Sequence, residues 1–291
     1  MFTLTNEKKF IKRFPLAAFF LTVYLGTWLV ISPLVFDSLG WVDIPDALGI
    51  ILFILSTFTG PFFAAFYVTG KLEGKEGRKK LWRRMFQMRA GLFWYAAALF
   101  IFLLIWLVAY SFLYRGAPLA TLIANPSLLI TAFLPNVLMG LLIPSFGEEP
   151  GWRGFALPRL QTNFGPVIGT LIMGILHGVW HLPALFTPLL GPFSWNGFLT
   201  FVLTAAAGTF IYTWVFNNTN GSVWIAMLLH ASSNAASNLV GDLIPKGVEL
   251  TGWQIYLESG WLNVIAFSAA AILIVVLTKG RLGLRLERPQ D

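Results

Sequence analysis

Long apolar runs separated by short polar segments dominate this chain. Within each run the hydrophobic residues are continuous rather than alternating, which is typical of membrane helices and not of barrel strands. A helix needs roughly 18 to 25 residues to cross a hydrocarbon core of about 30 Å. The pattern predicts eight such spans, at residues 15–36, 48–69, 91–113, 128–144, 167–186, 198–216, 223–240 and 260–278.

The composition agrees with this pattern, since 57% of the residues are hydrophobic and 11% are charged. A soluble domain is typically about a quarter charged. We therefore predict an all-α fold, a polytopic membrane helix bundle of about eight transmembrane helices that forms a single integral membrane domain over residues 1–291. Cysteine is absent, which excludes disulfides, a thiolate nucleophile and a cysteine-ligated zinc site.

The distribution of charge predicts the orientation in the membrane. If the N-terminus is cytoplasmic, all 20 Lys and Arg residues except Arg115 and Lys246 fall on the inner side. The positive-inside rule then places both termini in the cytoplasm. Four basic residues precede the first span, as in a signal peptide. The apolar run that follows them is, however, about 20 residues long and has no clear cleavage site, so we expect a retained first helix.

The net charge of +7 is concentrated in the predicted inner segments, above all between Lys71 and Arg89. Such a segment is expected to lie against anionic lipid headgroups, and the alternative is a docking site for an acidic partner. Membrane lipids are thus expected partners, whereas nucleic acid is not.

A pair of glutamates follows the fourth span. Glu148 and Glu149 precede Pro150 and Gly151, which are expected to break the helix and admit water. Arg153 lies four residues after Glu149, so the two would share a helical face and could pair. Adjacent carboxylates on a helix point in different directions. We therefore expect Arg153 to neutralise one of them, while the other faces a cavity as a general base.

All three histidines lie in the later spans. His177 and His181 are four residues apart in the fifth span, and His230 and Asn234 repeat this spacing in the seventh. Asn238 extends the same face by another turn. Because polar side chains in membrane spans almost always face the bundle interior or water, these residues are predicted to line a shared cavity.

This set of residues suits hydrolysis without a serine or cysteine nucleophile. A carboxylate and an imidazole can activate water, and histidine and asparagine can donate hydrogen bonds to an oxyanion, each worth roughly 10²–10³ in rate. The same groups suit a divalent metal such as zinc, with Glu148, His181 and His230 as candidate ligands. The spacing is not the HExxH signature, so a metal cofactor stays open.

Three motifs carry a resemblance to a known family. Taken in order, they are Glu148-Glu149-x-x-x-Arg153, Trp180-His181-Leu182-Pro183 and His230-x-x-x-Asn234. They resemble the CAAX-processing and bacteriocin-processing (CPBP, or Abi) family of intramembrane proteases, which includes the type II CAAX prenyl endopeptidases. The resemblance covers roughly residues 147–238 and implies an eight-helix membrane bundle.

The resemblance also implies roles for these residues. Glu148 would activate the water with His181 as its partner, and His230 and Asn234 would form the oxyanion hole. Glu149 and Arg153 would order the site and bind the end of the substrate. The sequence departs from the family at His177, where an aromatic residue is common. We expect packing there, with a further polar role at the site as the alternative.

The predicted function is therefore that of an intramembrane endopeptidase acting on a peptide or protein substrate from the cytoplasmic side. Prenylated CAAX-type and other C-terminal peptides are the substrates that the resemblance implies. The small size and the lack of extra domains suit a multi-pass protein of a prokaryotic plasma membrane. Two alternatives are a proton-coupled transporter and a non-catalytic immunity or scaffold protein. The absence of repeated halves argues against the first, and the complete motifs argue against the second.

Overall fold

The computed structural model describes residues 4–187 and 192–284, and no strand occurs among them. The predicted all-α membrane bundle is confirmed. Its helices are α1 (Leu4–Arg13), α2 (Pro15–Ser38), α3 (Asp46–Thr57), α4 (Phe63–Met85), α5 (Leu92–Leu113), α6 (Ala117–Ala124), α7 (Leu134–Gly140), α8 (Phe146–Glu149), α9 (Leu157–Trp180), α10 (Leu182–Leu185), α11 (Trp195–Asn218), α12 (Val223–Leu243), α13 (Gly252–Tyr256) and α14 (Leu262–Leu277).

Short π-helical turns join several of these helices into longer runs. They comprise Phe58–Phe62 between α3 and α4, Leu129–Phe133 before α7, Leu141–Ser145 between α7 and α8, Pro150–Ala156 between α8 and α9, and Leu257–Trp261 between α13 and α14.

Six helical stretches within the described residues are long and apolar enough to cross a membrane. They are Pro15–Ser38, Asp46–Met85, Leu92–Leu113, Leu129–Trp180, Trp195–Asn218 and Gly252–Leu277. The predicted span at 223–240 coincides with α12, a less apolar helix that is not among the six. The number of crossings and the cytoplasmic termini stay predictions, and the basic Arg285 and Arg288 lie outside the described residues.

Glycines interrupt the two longest stretches. Leu129–Trp180 has 52 residues, about 78 Å of helix at 1.5 Å per residue, which far exceeds the hydrocarbon core. Gly165 leaves the helical conformation with φ +76°, directly before Pro166, and lies between the predicted spans 128–144 and 167–186. In the same way Gly74, at φ +68°, separates the apolar part of Asp46–Met85 from its basic end.

Helix α12 is the central element of the bundle. It contacts α5, α7, α8 and α11, and its side chains are buried at most positions between Val223 and Leu243. It contributes to both large apolar clusters, one formed mainly with α5, α11 and α14 and the other with α2, α4 and α9. Its one histidine, His230, is therefore held in the middle of the protein.

The helix does not break at Pro150 and Gly151, contrary to the sequence-based expectation. It continues as the π-helical turn Pro150–Ala156, in which both residues are buried. Proline removes a backbone N–H and crowds the preceding turn of an α-helix, and a widened π turn accommodates it, often at functional sites. A Cβ at Gly151 would lie 2.6 Å from the Pro61 carbonyl oxygen. Glycine thus allows close packing here rather than opening the helix.

Candidate active site

The two glutamates of α8 have different partners, and Glu149 is the fully buried one. Its Oε1 lies 2.8 Å from Arg153 Nη1 and 2.9 Å from His230 Nδ1. Arg153 is 1% exposed, and its guanidinium lies 4.0 Å from the centre of the Tyr212 ring, a cation–π contact. The ion pair expected from the i, i+4 spacing is present. Each charge thus has an opposite partner, while Glu149 Oε2 and Arg153 Nε have no hydrogen-bond partner among the described residues.

Glu148 faces a separate group of side chains. Its Oε2 lies 3.2 Å from His177 Nε2 and accepts a hydrogen bond from Trp152 Nε1 at 3.4 Å. The contacts found for this carboxylate all involve Oε2, which leaves Oε1 able to bind water or substrate. The side chain is buried, at 4% exposure. Glu148 is therefore shielded from bulk solvent, and no Lys or Arg of the described residues pairs with it.

The two histidines of the α9 end stand close to Glu148. His181 Nδ1 lies 3.0 Å from the His177 carbonyl oxygen. Because a carbonyl oxygen can only accept, Nδ1 must carry the proton and Nε2 of His181 keeps its lone pair. Glu148, His177 and His181 each offer a ligand atom, and the three atoms lie within 4.8 Å of one another. Of the metal ligands expected from the sequence, this group contains Glu148 and His181, with His177 in place of His230.

The remaining candidate, Asn234, lies one turn beyond His230 on α12. Its side chain is exposed, and nothing in the described part of the chain hydrogen bonds to it. His230 is 8% exposed and binds Glu149. The structure thus brings Glu148 to His177 and His181 and brings Glu149 to Arg153 and His230, while the Asn234 amide is left free to contact another molecule.

Two contributors were not identified from the sequence. Trp152 donates to Glu148 from four residues away, and a tryptophan in an apolar segment gives no sequence signal of that role. Tyr212 covers Arg153 from α11. A tyrosine in an apolar helix gives no signal of this contact, since it depends on how α11 packs beside the π turn.

Comparison with known proteins gives a consistent picture. Residues 128–236 match the family model described as "Type II CAAX prenyl endopeptidase Rce1-like". This range includes the candidate catalytic and supporting residues from Glu148 to Asn234, while Asn238 lies just outside it. The matched segment is thus similar to the CPBP (CAAX protease) family, in a helical chain with several stretches long and apolar enough to cross a membrane.

One relative is the CAAX prenyl protease 2 of Methanococcus maripaludis. It is 29% identical over 116 residues, which are 38% of this chain and 42% of that protein. The similarity therefore spans less than half of either chain.

Proposed function

We propose that this protein is an intramembrane endopeptidase in which Glu148 and His181 activate a water molecule. The observation that carries the proposal is that the two adjacent glutamates have different binding partners. Glu149 is neutralised by Arg153 and His230, whereas Glu148 contacts uncharged donors beside the free lone pair of His181. Similarity to a family of prenyl endopeptidases supports the proposal.

In the proposed reaction, the water oxygen attacks the scissile carbonyl carbon while its proton passes to Glu148. His181 Nε2 accepts the second hydrogen bond of the water and orients it. When the tetrahedral intermediate collapses, the carbon–nitrogen bond breaks and Glu148 gives the proton to the leaving amine. A carboxylic acid and an amine result, and Glu148 is regenerated.

The oxyanion of the intermediate would be stabilised from α12. His230 Nδ1 binds the Glu149 carboxylate, so His230 can donate from Nε2 only as the doubly protonated imidazolium. The Asn234 amide supplies the second donor. Donors of this kind are worth roughly 10²–10³ in rate each.

The proposed substrates are C-terminal peptides, with prenylated CAAX-type peptides as the first class to examine. The relative from Methanococcus maripaludis is named for a prenyl protease activity, and a membrane-embedded site suits a lipidated peptide. We further propose a single catalytic domain in a prokaryotic plasma membrane, with both termini and the cavity mouth on the cytoplasmic side.

The test is peptide cleavage by the full chain in liposomes, with matched peptides that carry or lack a prenyl group. Glu148→Gln should lower the rate by about 10²–10⁴, the typical worth of a general base, and His181→Ala and His230→Ala should also inactivate the protein. The exposed Glu76→Gln is the matched control and should keep the wild-type rate. Wild-type cleavage by Glu148→Gln would refute the proposal.

The proposed mechanism makes no use of a metal, which gives a second prediction. A chelator should not lower the cleavage rate of the purified protein by more than about twofold. Loss of activity in chelator that zinc restores would show instead that a metal activates the water.

A further inference from the structure

His177 gives the end of α9 a chemistry beyond that proposed for hydrolysis. His177 and His181 are four residues apart on one face of α9, and Glu148 approaches from α8. The resulting set of two imidazoles and one carboxylate suits Zn²⁺, Co²⁺, Ni²⁺ and Cu²⁺ better than Mg²⁺ or Ca²⁺. Two of these side chains serve the proposed reaction, and His177 is the additional ligand.

The distances allow a metal with small side-chain adjustments. The three ligand atoms lie within 4.8 Å of one another. Tetrahedral zinc with bonds of about 2.0–2.2 Å keeps its ligand atoms about 3.3–3.5 Å apart. Contraction by up to about 1.5 Å would therefore complete three ligands and leave a fourth position for water.

Neighbouring groups hold the two histidine rings in fixed orientations. The backbone carbonyl of His177 holds the Nδ1 proton of His181, an arrangement that orients metal-binding histidines and directs Nε2 to the ion. The His177 ring lies 5.0 Å from the Trp152 ring and 6.0 Å from the Trp180 ring. These contacts limit its rotation, so little conformational entropy is lost when a metal binds.

The local charge also favours a cation. Arg153 and His230 both bind Glu149, which leaves the Glu148 carboxylate as the buried acid whose charge a bound cation would offset. The Nε2 atom of His177 already contacts Glu148 Oε2 at 3.2 Å. A cation that replaces the proton shared by this pair gains both ligands at once.

We propose that Glu148, His177 and His181 bind one divalent cation of the zinc class, and that this cation competes with peptide hydrolysis. The competition rests on the proposed function, because the cation occupies the Glu148 carboxylate and the His181 Nε2 that would activate the water. The binding itself does not depend on that function.

Binding can be measured with Co²⁺, whose visible absorption becomes intense in a four-coordinate protein site. The full chain is purified in detergent with a histidine-free tag, stripped with chelator and titrated with CoCl₂. We expect one Co²⁺ per chain. Loss of an outer-sphere partner alone costs about 10–100-fold in metal affinity, so His177→Phe, which removes a ligand but keeps a ring, should weaken binding by at least ~100-fold.

Controls make the binding result decisive. His230→Ala removes the one other histidine of the chain and should keep the Co²⁺ spectrum. Glu148→Gln should weaken it, and it serves as a second variant if His177→Phe does not fold as judged by thermal unfolding. An unchanged Co²⁺ affinity in both His177→Phe and Glu148→Gln, or no visible band in the wild type, would overturn the metal site.

The competition is tested by zinc inhibition, with each variant compared with its own rate in chelator. Zn²⁺ should inhibit the wild type, and the inhibition constant should rise at least ~100-fold in His177→Phe. Zinc binding that stimulates cleavage or leaves it unchanged would overturn the competition. A wild-type protein that gives the Co²⁺ spectrum but never cleaves peptide would refute the proposed function and leave the metal site standing.

Discussion

At the scale of single residues, the buried pair of Glu149 and Arg153 has a large desolvation cost. Both side chains are almost completely buried, and their contact is 2.8 Å. Burying either charge alone costs several kcal/mol, which good geometry and additional hydrogen bonds must offset. His230 and the Tyr212 ring supply those additional contacts. The pair is thus tied to α11 and α12 at once.

Replacing the arginine should therefore destabilise the protein. Arg153→Met leaves the Glu149 carboxylate buried without its cation, and we expect a loss of about 3–5 kcal/mol of unfolding free energy. The measurement is equilibrium unfolding by SDS in mixed detergent micelles. The double variant Glu149→Gln with Arg153→Met should recover most of the loss, because no unpaired acid remains. Equal stability of the single variant and the wild type would contradict this account.

Asn234 and Asn238 allow a matched test on one helix face. Both side chains are exposed on α12, but Asn234 lies one turn from His230 and Asn238 lies two turns away. Asn234→Ala should lower kcat by about 10²–10³, as expected for a lost oxyanion donor. Asn238→Ala should stay within about twofold of the wild type. Equal rates for the two variants in the peptide assay would remove Asn234 from the proposed oxyanion hole.

Spacing alone predicted partners only where the residues are close along the chain, and the pairing of Glu148 with His181 was implied by the family resemblance. The four-residue spacing of Glu149 and Arg153 predicts their pairing directly. His177 and Glu148 are 29 residues apart, and their contact requires the chain to turn at Gly165 so that the second half of α9 returns to α8. Periodicity does not encode that turn, so the role of His177 could not be read from the sequence.

At the scale of elements, the packing of α9 on α11 positions the histidines. Gly174 and Gly178 form a small-xxx-small pair on α9, a pattern that lets membrane helices approach closely. A Cβ at Gly174 would lie 2.6 Å from Ala206 Cα, and one at Gly178 would lie 2.9 Å from Val202 Cα. The two glycines, one on each side of His177 along α9, therefore set the distance between α9 and α11.

The same substitution at two glycines tests this contact. Gly174→Ala should separate α9 from α11 and cost about 1–3 kcal/mol, as overpacking does. Gly241→Ala on α12 meets nothing within 4 Å and should stabilise the protein by about 0.5–1 kcal/mol, the usual gain over glycine in a helix. Both are measured by SDS unfolding. Similar effects of the two changes would show that close helix contact at Gly174 is unimportant.

Elements were predicted well where continuous apolar runs define them, because desolvation in lipid leaves a helix as the single satisfactory backbone structure. The continuous helix through Pro150 and Gly151 was not predicted, because proline and glycine ordinarily break a helix. Here the close approach of Pro61 to Gly151 and the widened turn outweigh that preference, and the helix continues.

At the scale of the whole molecule, the distribution of basic residues predicts the orientation. Its test benefits from a chain without cysteine, because a single introduced cysteine is the one reactive thiol. Lys80 and Lys246 are both exposed and are expected on opposite sides of the membrane. In intact cells, a membrane-impermeant maleimide should label Lys246→Cys and should reach Lys80→Cys after permeabilisation. The reverse labelling pattern would invert the predicted topology.

One peptide bond joins the two glutamates, so their positions in the site are coupled. In the proposed reaction Glu148 takes the proton, while Glu149 holds the imidazole that faces the oxyanion. Both side chains leave the same turn of α8, so any displacement of that turn carries both with it. A misplacement of about 1 Å can cost 10²-fold in rate, and here a single shift would disable acid–base chemistry and charge stabilisation together. Motion of α8 would therefore change the positions of the proton acceptor and of the oxyanion donor at the same time.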